Sequence, residues 1–279
     1  MMEPVRDLYL NLLKNCLTRY TFDRHPRYRE LQRTGSRWQR LLYPRLRKAL
    51  AARNLVLARP IPYDPVARAE GHEWPPPIEA ETMIGLKGLN NLQYCISDVL
   101  QRGVPGDFIE TGAWRGGAAV FMRAMLQAHE DTMRSVWVAD SFQGLPEPEA
   151  FRSRGNADDT TGSAHEMIVG LNEVKASFER YGLLDEQVRF LVGWFHETLP
   201  SAPIEALAIL RLDGGLYEST MDGLQHLYHK LSVGGYTIIN DSHGTRDCII
   251  AVDEFRAARN ITEDMHRVNG EAVFWQKQR

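Results

Sequence analysis

Two spacings of apolar residues alternate along the 279-residue chain, and their order predicts its elements. Near the start, Leu8, Leu12, Leu13 and Leu17 fall at helical intervals, which predicts an amphipathic first helix. The run Trp74-Pro75-Pro76-Pro77 cannot continue helix or sheet and marks a connector or a lid. From Glu79 onward, short apolar runs alternate with helical stretches. Residues 82–100 space Met83, Leu86, Leu89, Leu92, Ile96 and Val99 as one helical face. Strands are predicted at 107–110, 136–139, 188–192, 206–212 and 236–240, and helices at 118–129, 166–181, 219–231 and 246–259. Val268 and residues 272–276 suggest closing strands at an edge. This order predicts an α/β fold with a doubly wound, mostly parallel, Rossmann-like sheet and an N-terminal helical extension. Residues 1–78 form that extension or lid, and 79–279 the α/β domain. Ligands of such a sheet gather at the carboxyl ends of its strands.

Composition narrows the classes. Hydrophobic residues at 43% and charged residues at 25% are ordinary for a globular domain and exclude disorder or coiled coil. A net charge of -3 gives no electrostatic basis for nucleic-acid or anionic-membrane partners. Arginines do crowd the stretch from Arg24 to Lys48, where a solvated helical face is the plainer reading than a phosphate site. No apolar run approaches the ~20 residues of a membrane helix. The N-terminus carries charges throughout, unlike a signal peptide. Cys16, Cys95 and Cys248 are odd in number and lack metal-ligand spacing, which points to a reducing cytoplasm.

The chemistry sits where strands end. The first strand of the domain runs into Glu110-Thr111-Gly112-Ala113-Trp114-Arg115-Gly116-Gly117, whose glycines let a ligand approach the backbone. Asp140 ends the next strand, where an acid is suited to ribose hydroxyls; a capping role for Asp140 or Ser141 is the alternative. Two later strands end in Asp213-Gly214-Gly215 and Asn240-Asp241-Ser242-His243. Acids on adjacent strand tips suit Mg²⁺, or one could act as general base; Asp241 could instead cap the helix that follows. His243 is a further candidate base or a solvated loop residue. Ser219 or Thr220 is expected to cap a helix.

Five segments then resemble one family: TMIGLKGLNNLQ (82–93), GDFIETGAWRGGA (106–118), VWVADSFQGLP (136–146), YGLLDEQVRFLVGWFHETLP (181–200) and RLDGGLYESTMDGLQHLYHKLSVGGY (211–236). The chain resembles the macrocin O-methyltransferases, bacterial enzymes dependent on S-adenosyl-L-methionine (SAM) and Mg²⁺ that methylate sugar hydroxyls of antibiotics. The resemblance implies a class I methyltransferase fold, a small natural-product substrate and a homo-oligomer. It places Thr82 and Met83 near the methionine end of SAM. Glu110, Thr111, Gly112, Ala113 and Trp114 would form the cradle and Asp140 would hold the ribose. Ser141, Phe142, Gly144 and Trp194 would surround the adenine. Asp213 would be metal ligand and catalytic base, with Asn240 and Asp241 completing the metal site.

The departures lie on one side of that site. The family's D-G-D is Asp213-Gly214-Gly215 here, its D-D pair is Asn240-Asp241, and its following tyrosine is Ser242. A family Arg and Asp appear as Gly88 and Asn90. Lost carboxylates weaken attraction for a divalent ion. The expected activity is O-methylation. The alternative is a related enzyme that has lost metal-dependent transfer and catalyses a cyclisation, rearrangement or elimination, or methylates without metal.

Overall fold

A computed structural model describes residues 2–22, 27–30, 37–71, 79–145, 168–240 and 246–279. Helix α1 (Met2–Leu17) forms where the leucine spacing predicts it, but turned from the expected stripe. Leu10, Leu13 and Leu17 are buried, whereas Leu8 and Leu12 remain 70% and 57% exposed. The turn is set by Lys14, whose ammonium donates to Asn90 Oδ1 at 2.6 Å and Gln93 Oε1 at 2.8 Å, aligning the Leu10–Leu13–Leu17 face with the core. The N-terminal region is not purely helical. Strands β1 (Arg27–Glu30) and β2 (Ala58–Ile61) pair antiparallel around α2 (Arg37–Ala51). The Arg-Tyr-Arg-Glu of β1 has no apolar alternation to announce it, since the pairing rests on backbone groups. Helix α3 (Pro65–Glu70) opens on Asp64, whose carboxylate accepts the Val66 and Ala67 amides at 2.9 and 3.0 Å.

The main sheet follows the predicted alternation, although the strand predicted at 236–240 begins at 231, the helix predicted at 166–181 runs 171–180, and Val268 falls just outside the edge strand. In chain order come α4 (Gly85–Gln101), β3 (Asp107–Thr111), α5 (Gly117–Ala128), β4 (Val136–Asp140), α6 (Leu171–Arg180), β5 (Val188–Val192) and α7 (Phe195–Thr198). Then come β6 (Leu207–Leu212), α8 (Tyr217–Leu227), β7 (Leu231–Ile239), α9 (Arg246–Ala258), β8 (His266–Arg267) and β9 (Val273–Gln276). The spatial order is β5-β4-β3-β6-β7-β9-β8. The pairs from β5 to β7 are parallel, and β9 and β8 close the edge antiparallel. Helix α8 starts ahead of the predicted caps: Ser219 donates to the Gly214 carbonyl at 3.2 Å and Thr220 to Cys248 Sγ at 3.3 Å.

Alternate strand residues feed two apolar layers. Phe108, Val138 and Ile209 pack beneath α1, α4 and α5, while Ile109, Ala139, Leu210 and Leu212 pack on the opposite face with Leu224 and Phe255 of α8 and α9. Both faces of the central strands are covered, so their residues read as continuous apolar runs. The chain moves outward from β3 through β4 to β5, then returns to β6 on the other side of β3. The crevice between β3 and β6 is therefore the switch point where a ligand binds in such sheets.

Candidate active site

Hydrogen bonds between strand tips gather the predicted residues on one rim. The Gly112 amide donates to Ala139 O (2.9 Å), Gly193 to Asp140 O (3.0 Å), Asp213 to Thr111 O (2.8 Å) and Asn240 to Leu212 O (2.9 Å). Gly112 has φ +84, and a Cβ there would lie 2.2 Å from the Asp213 carbonyl oxygen. Only glycine lets β3 and β6 tips approach so closely. Gly112→Ala is expected to destabilise the protein by about 2 kcal/mol or more, combining left-handed strain with a backbone clash; a chemical-denaturation midpoint checks it. At Gly117, a Cβ would sit 2.5 Å from Glu81 O and 2.8 Å from Thr82 Cβ. That contact seats buried Thr82, followed by half-buried Met83, beside the first turn of α5.

Asp140 lies at the mouth of this rim. Its Oδ2 accepts from the Ala113 amide at 2.7 Å and its Oδ1 from the Phe142 amide at 2.8 Å, so it ties the β3 loop to the β4 loop. Burial pushes its carboxyl above the usual aspartate range, opposed by these amides. Each carboxylate oxygen can accept more than one hydrogen bond, so capping and ligand binding are compatible here. Ser141 Oγ donates to Gly144 O at 2.9 Å and orders the turn. Trp114 and Phe142 carry φ of +47° and +56°, a conformation bulky residues adopt at a cost of order 1–3 kcal/mol and which clusters at functional sites. Arg115 stacks on the Trp114 ring at 4.4 Å. The Phe142 ring is turned inward on Phe190, at 6.3 Å, which leaves the backbone of the turn on the rim. Trp194 is half-buried, immediately before α7.

Beneath the rim runs a line of charge that the sequence reading missed in part. Glu110, assigned to the cradle by resemblance, is 2% exposed. Its Oε2 accepts the Ala119 amide at 2.9 Å and its Oε1 pairs with Arg211 Nη1. Arg211 Nη2 in turn pairs with Asp213 Oδ2 at 2.8 Å. Burial pushes the Glu110 carboxyl up to about 7, with the Arg211 guanidinium pulling it down. The signal for Arg211 was available: a lone arginine inside the apolar run LAILRL, two residues before Asp213.

On the metal side, Asp213 is partly exposed and Asn240 half-buried, brought to adjacent tips by β6 and β7. Asp241 and His243 lie outside the described residues, as do residues 146–167. No group of three His, Cys, Asp or Glu side chains among the described residues is placed to hold a metal ion. What they offer a divalent cation is one carboxylate, already paired with Arg211, and one amide. By themselves these do not fit Mg²⁺. Introducing Gly215→Asp with Asn240→Asp should raise Mg²⁺ affinity by about tenfold or more through added carboxylate charge; calorimetric titration with MgCl₂ measures it, and unchanged affinity would refute the charge argument.

A doubly wound sheet with an acid at the end of β4 and another after β6, on either side of the β3 tip, is the frame of a Rossmann-like enzyme that binds a small cofactor at its strand ends. Comparison with known proteins makes the class specific: residues 6–277 match the macrocin-O-methyltransferase (TylF) family, and the chain belongs to it. It is 46% identical over 279 residues to the 8-demethyl-8-(2,3-dimethoxy-alpha-L-rhamnosyl)-tetracenomycin-C 4'-O-methyltransferase of Streptomyces olivaceus, covering 99% of this chain and 94% of that protein. It is 48% identical to the demethyldecarbamoylnovobiocin O-methyltransferase of Streptomyces niveus over 78% of this chain and 82% of that one. Among solved structures, the O-methyltransferase NovP superposes with a TM-score of 0.80 at 41% identity, covering 98% of this chain and 100% of that one.

Proposed function

We propose that this methyltransferase moves the methyl group of SAM to a sugar hydroxyl of a bacterial natural product. The observation that carries the reading is the gathering of Asp140 and Asp213 at the tips of β4 and β6, the strands on either side of β3, in a chain whose similar relatives are named for O-methylation of rhamnosyl and novobiocin-type compounds. Bound SAM supplies an electrophilic methyl on a sulfonium that departs as a neutral thioether. The chain's task is therefore placement more than acid catalysis. Asp140, with the Ala113 and Phe142 amides fixed on it, holds the ribose. Thr82, Met83 and the 111–114 loop enclose the methionine end, and Ser141, Gly144 and Trp194 border the adenine. Asp213 orients the acceptor hydroxyl and takes its proton as the oxygen–methyl bond forms. Asn240 and Asp241 complete the acceptor side, and His243 stands near them in sequence.

The test is incubation of the protein with SAM and a panel of rhamnosyl- and noviosyl-type glycosides, followed by mass spectrometry. A mass gain of one methylene on the sugar fragment is expected. Gain on the aglycone alone, or S-adenosylhomocysteine formed with no acceptor modified, refutes the reading.

Two further features support the wider picture. Val5, Leu8 and Leu12 line an exposed side of α1, 67%, 70% and 57% accessible, which favours a homo-oligomer. Light scattering after gel filtration checks this, with Leu8→Glu/Leu12→Glu expected to lower the molar mass. Cys16, Cys95 and Cys248, none of them in a disulfide, fit a reducing cytoplasm, and no helix among the described residues is long and apolar enough to cross a membrane.

A further inference from the structure

We propose that Arg211 is the positioning residue of the active site: anchored on buried Glu110, it fixes the Asp213 carboxylate for the acceptor. The inference rests on the methyl-transfer reading above. Strand β6 is buried at every position, and Ile209, on the same face two residues earlier, is 0% exposed in an apolar layer. That layer could have continued. Instead the next residue on this face is an arginine at 2% exposure, followed two residues on by Asp213.

Stability does not explain the choice, because replacing buried ion pairs by apolar residues of similar volume is often neutral or stabilising. Geometry does. Glu110 and Arg211 are directly paired in the β3–β6 register. The guanidinium is a planar fork, and its two outer nitrogens each hold a different carboxylate: Nη1 that of Glu110, Nη2 that of Asp213. Glu110 is anchored at its other oxygen by the Ala119 amide in the first turn of α5. A continuous line thus runs from α5 through Glu110 and Arg211 to Asp213. The aspartate's terminal torsion is otherwise soft. Pinning Oδ2 restricts that torsion while the side chain stays 19% exposed.

Lysine keeps the charge but offers a single point of attachment, so Arg211→Lys separates orientation from charge. With SAM and a methylated glycoside, kcat is expected to fall roughly 10²-fold, the scale of a misplacement near one ångström, while the SAM Kd and acceptor KM stay within about threefold. Arg211→Gln, whose amide can still donate to Glu110 but cannot reach both carboxylates, carries the test if the lysine variant does not fold; the same kcat loss is expected at a near-native Tm. Crystal structures of either variant should show the Asp213 carboxylate turned from its native rotamer. A kcat within about twofold of wild type in a folded variant, or an unmoved Asp213, overturns the proposal. So does a loss of SAM affinity in step with kcat, the mark of a merely structural role. Wild-type protein that methylates no glycoside defeats the functional reading instead, and the Asp213 rotamer in the variant structures still decides the role of Arg211.

Discussion

Asp213→Asn is expected to lower kcat by about 10²–10⁴-fold, the range of a positioned general base, while SAM affinity stays within about twofold. Asparagine preserves the shape and the contact with Arg211 through its carbonyl oxygen, yet cannot accept a proton from the acceptor. Asp213 sits across the crevice from the cradle, and asparagine keeps both the backbone amide on Thr111 O and the contact with Arg211, so the cofactor side should not register the change. Single-turnover kinetics alongside calorimetric SAM titration separates the two effects. Retained turnover would move proton acceptance to another residue, with His243 the first to examine.

Asp140→Ala is expected to weaken SAM binding by about 1–3 kcal/mol, the scale of hydrogen bonds to a charged group. The change also releases the Ala113 and Phe142 amides, which are held at 2.7 and 2.8 Å, so part of the loss comes from a loosened cradle. Because burial raises the folded-state pKa of Asp140, its protonation begins at a higher pH than for an exposed aspartate. The sign follows: acidification should weaken SAM affinity as the carboxylate is neutralised, earlier than for an ordinary aspartate, and Asp140→Asn should flatten that dependence. Titrations across the acid range measure it. Unchanged affinity in Asp140→Ala would remove the residue from ribose binding.

Much of this architecture was legible because periodicity reports burial. Strand β5 carries the predicted bounds 188–192, and β3, β4 and β6 fall within a residue of theirs. Strands covered on both faces and helices covered on one leave such marks. The β1–β2 pair left none, since Arg-Tyr-Arg-Glu and Ala-Arg-Pro-Ile carry no shared apolar alternation. The α1 stripe was legible only in part: Leu8 and Leu13 both fit helical spacing, and the Lys14 contacts with Asn90 and Gln93 determine which side faces inward. At the site, Asp140 and Asp213 follow from their place after strands. The buried side chain of Glu110 does not, because its contacts depend on a cross-strand neighbour a hundred residues away in sequence, Arg211. Asn90 shows the same limit from the other side: a departure from the family pattern proves to be a partner of Lys14.

The most direct test of the central claim follows the methyl group itself. Methyl-labelled SAM is incubated with the wild-type protein and a glycoside acceptor, and the product is examined by NMR while S-adenosylhomocysteine is quantified. The account predicts one labelled methyl ether on a sugar carbon for each S-adenosylhomocysteine formed, absent with Asp213→Asn. Label on nitrogen, on the aglycone, or unchanged labelling with Asp213→Asn would contradict it.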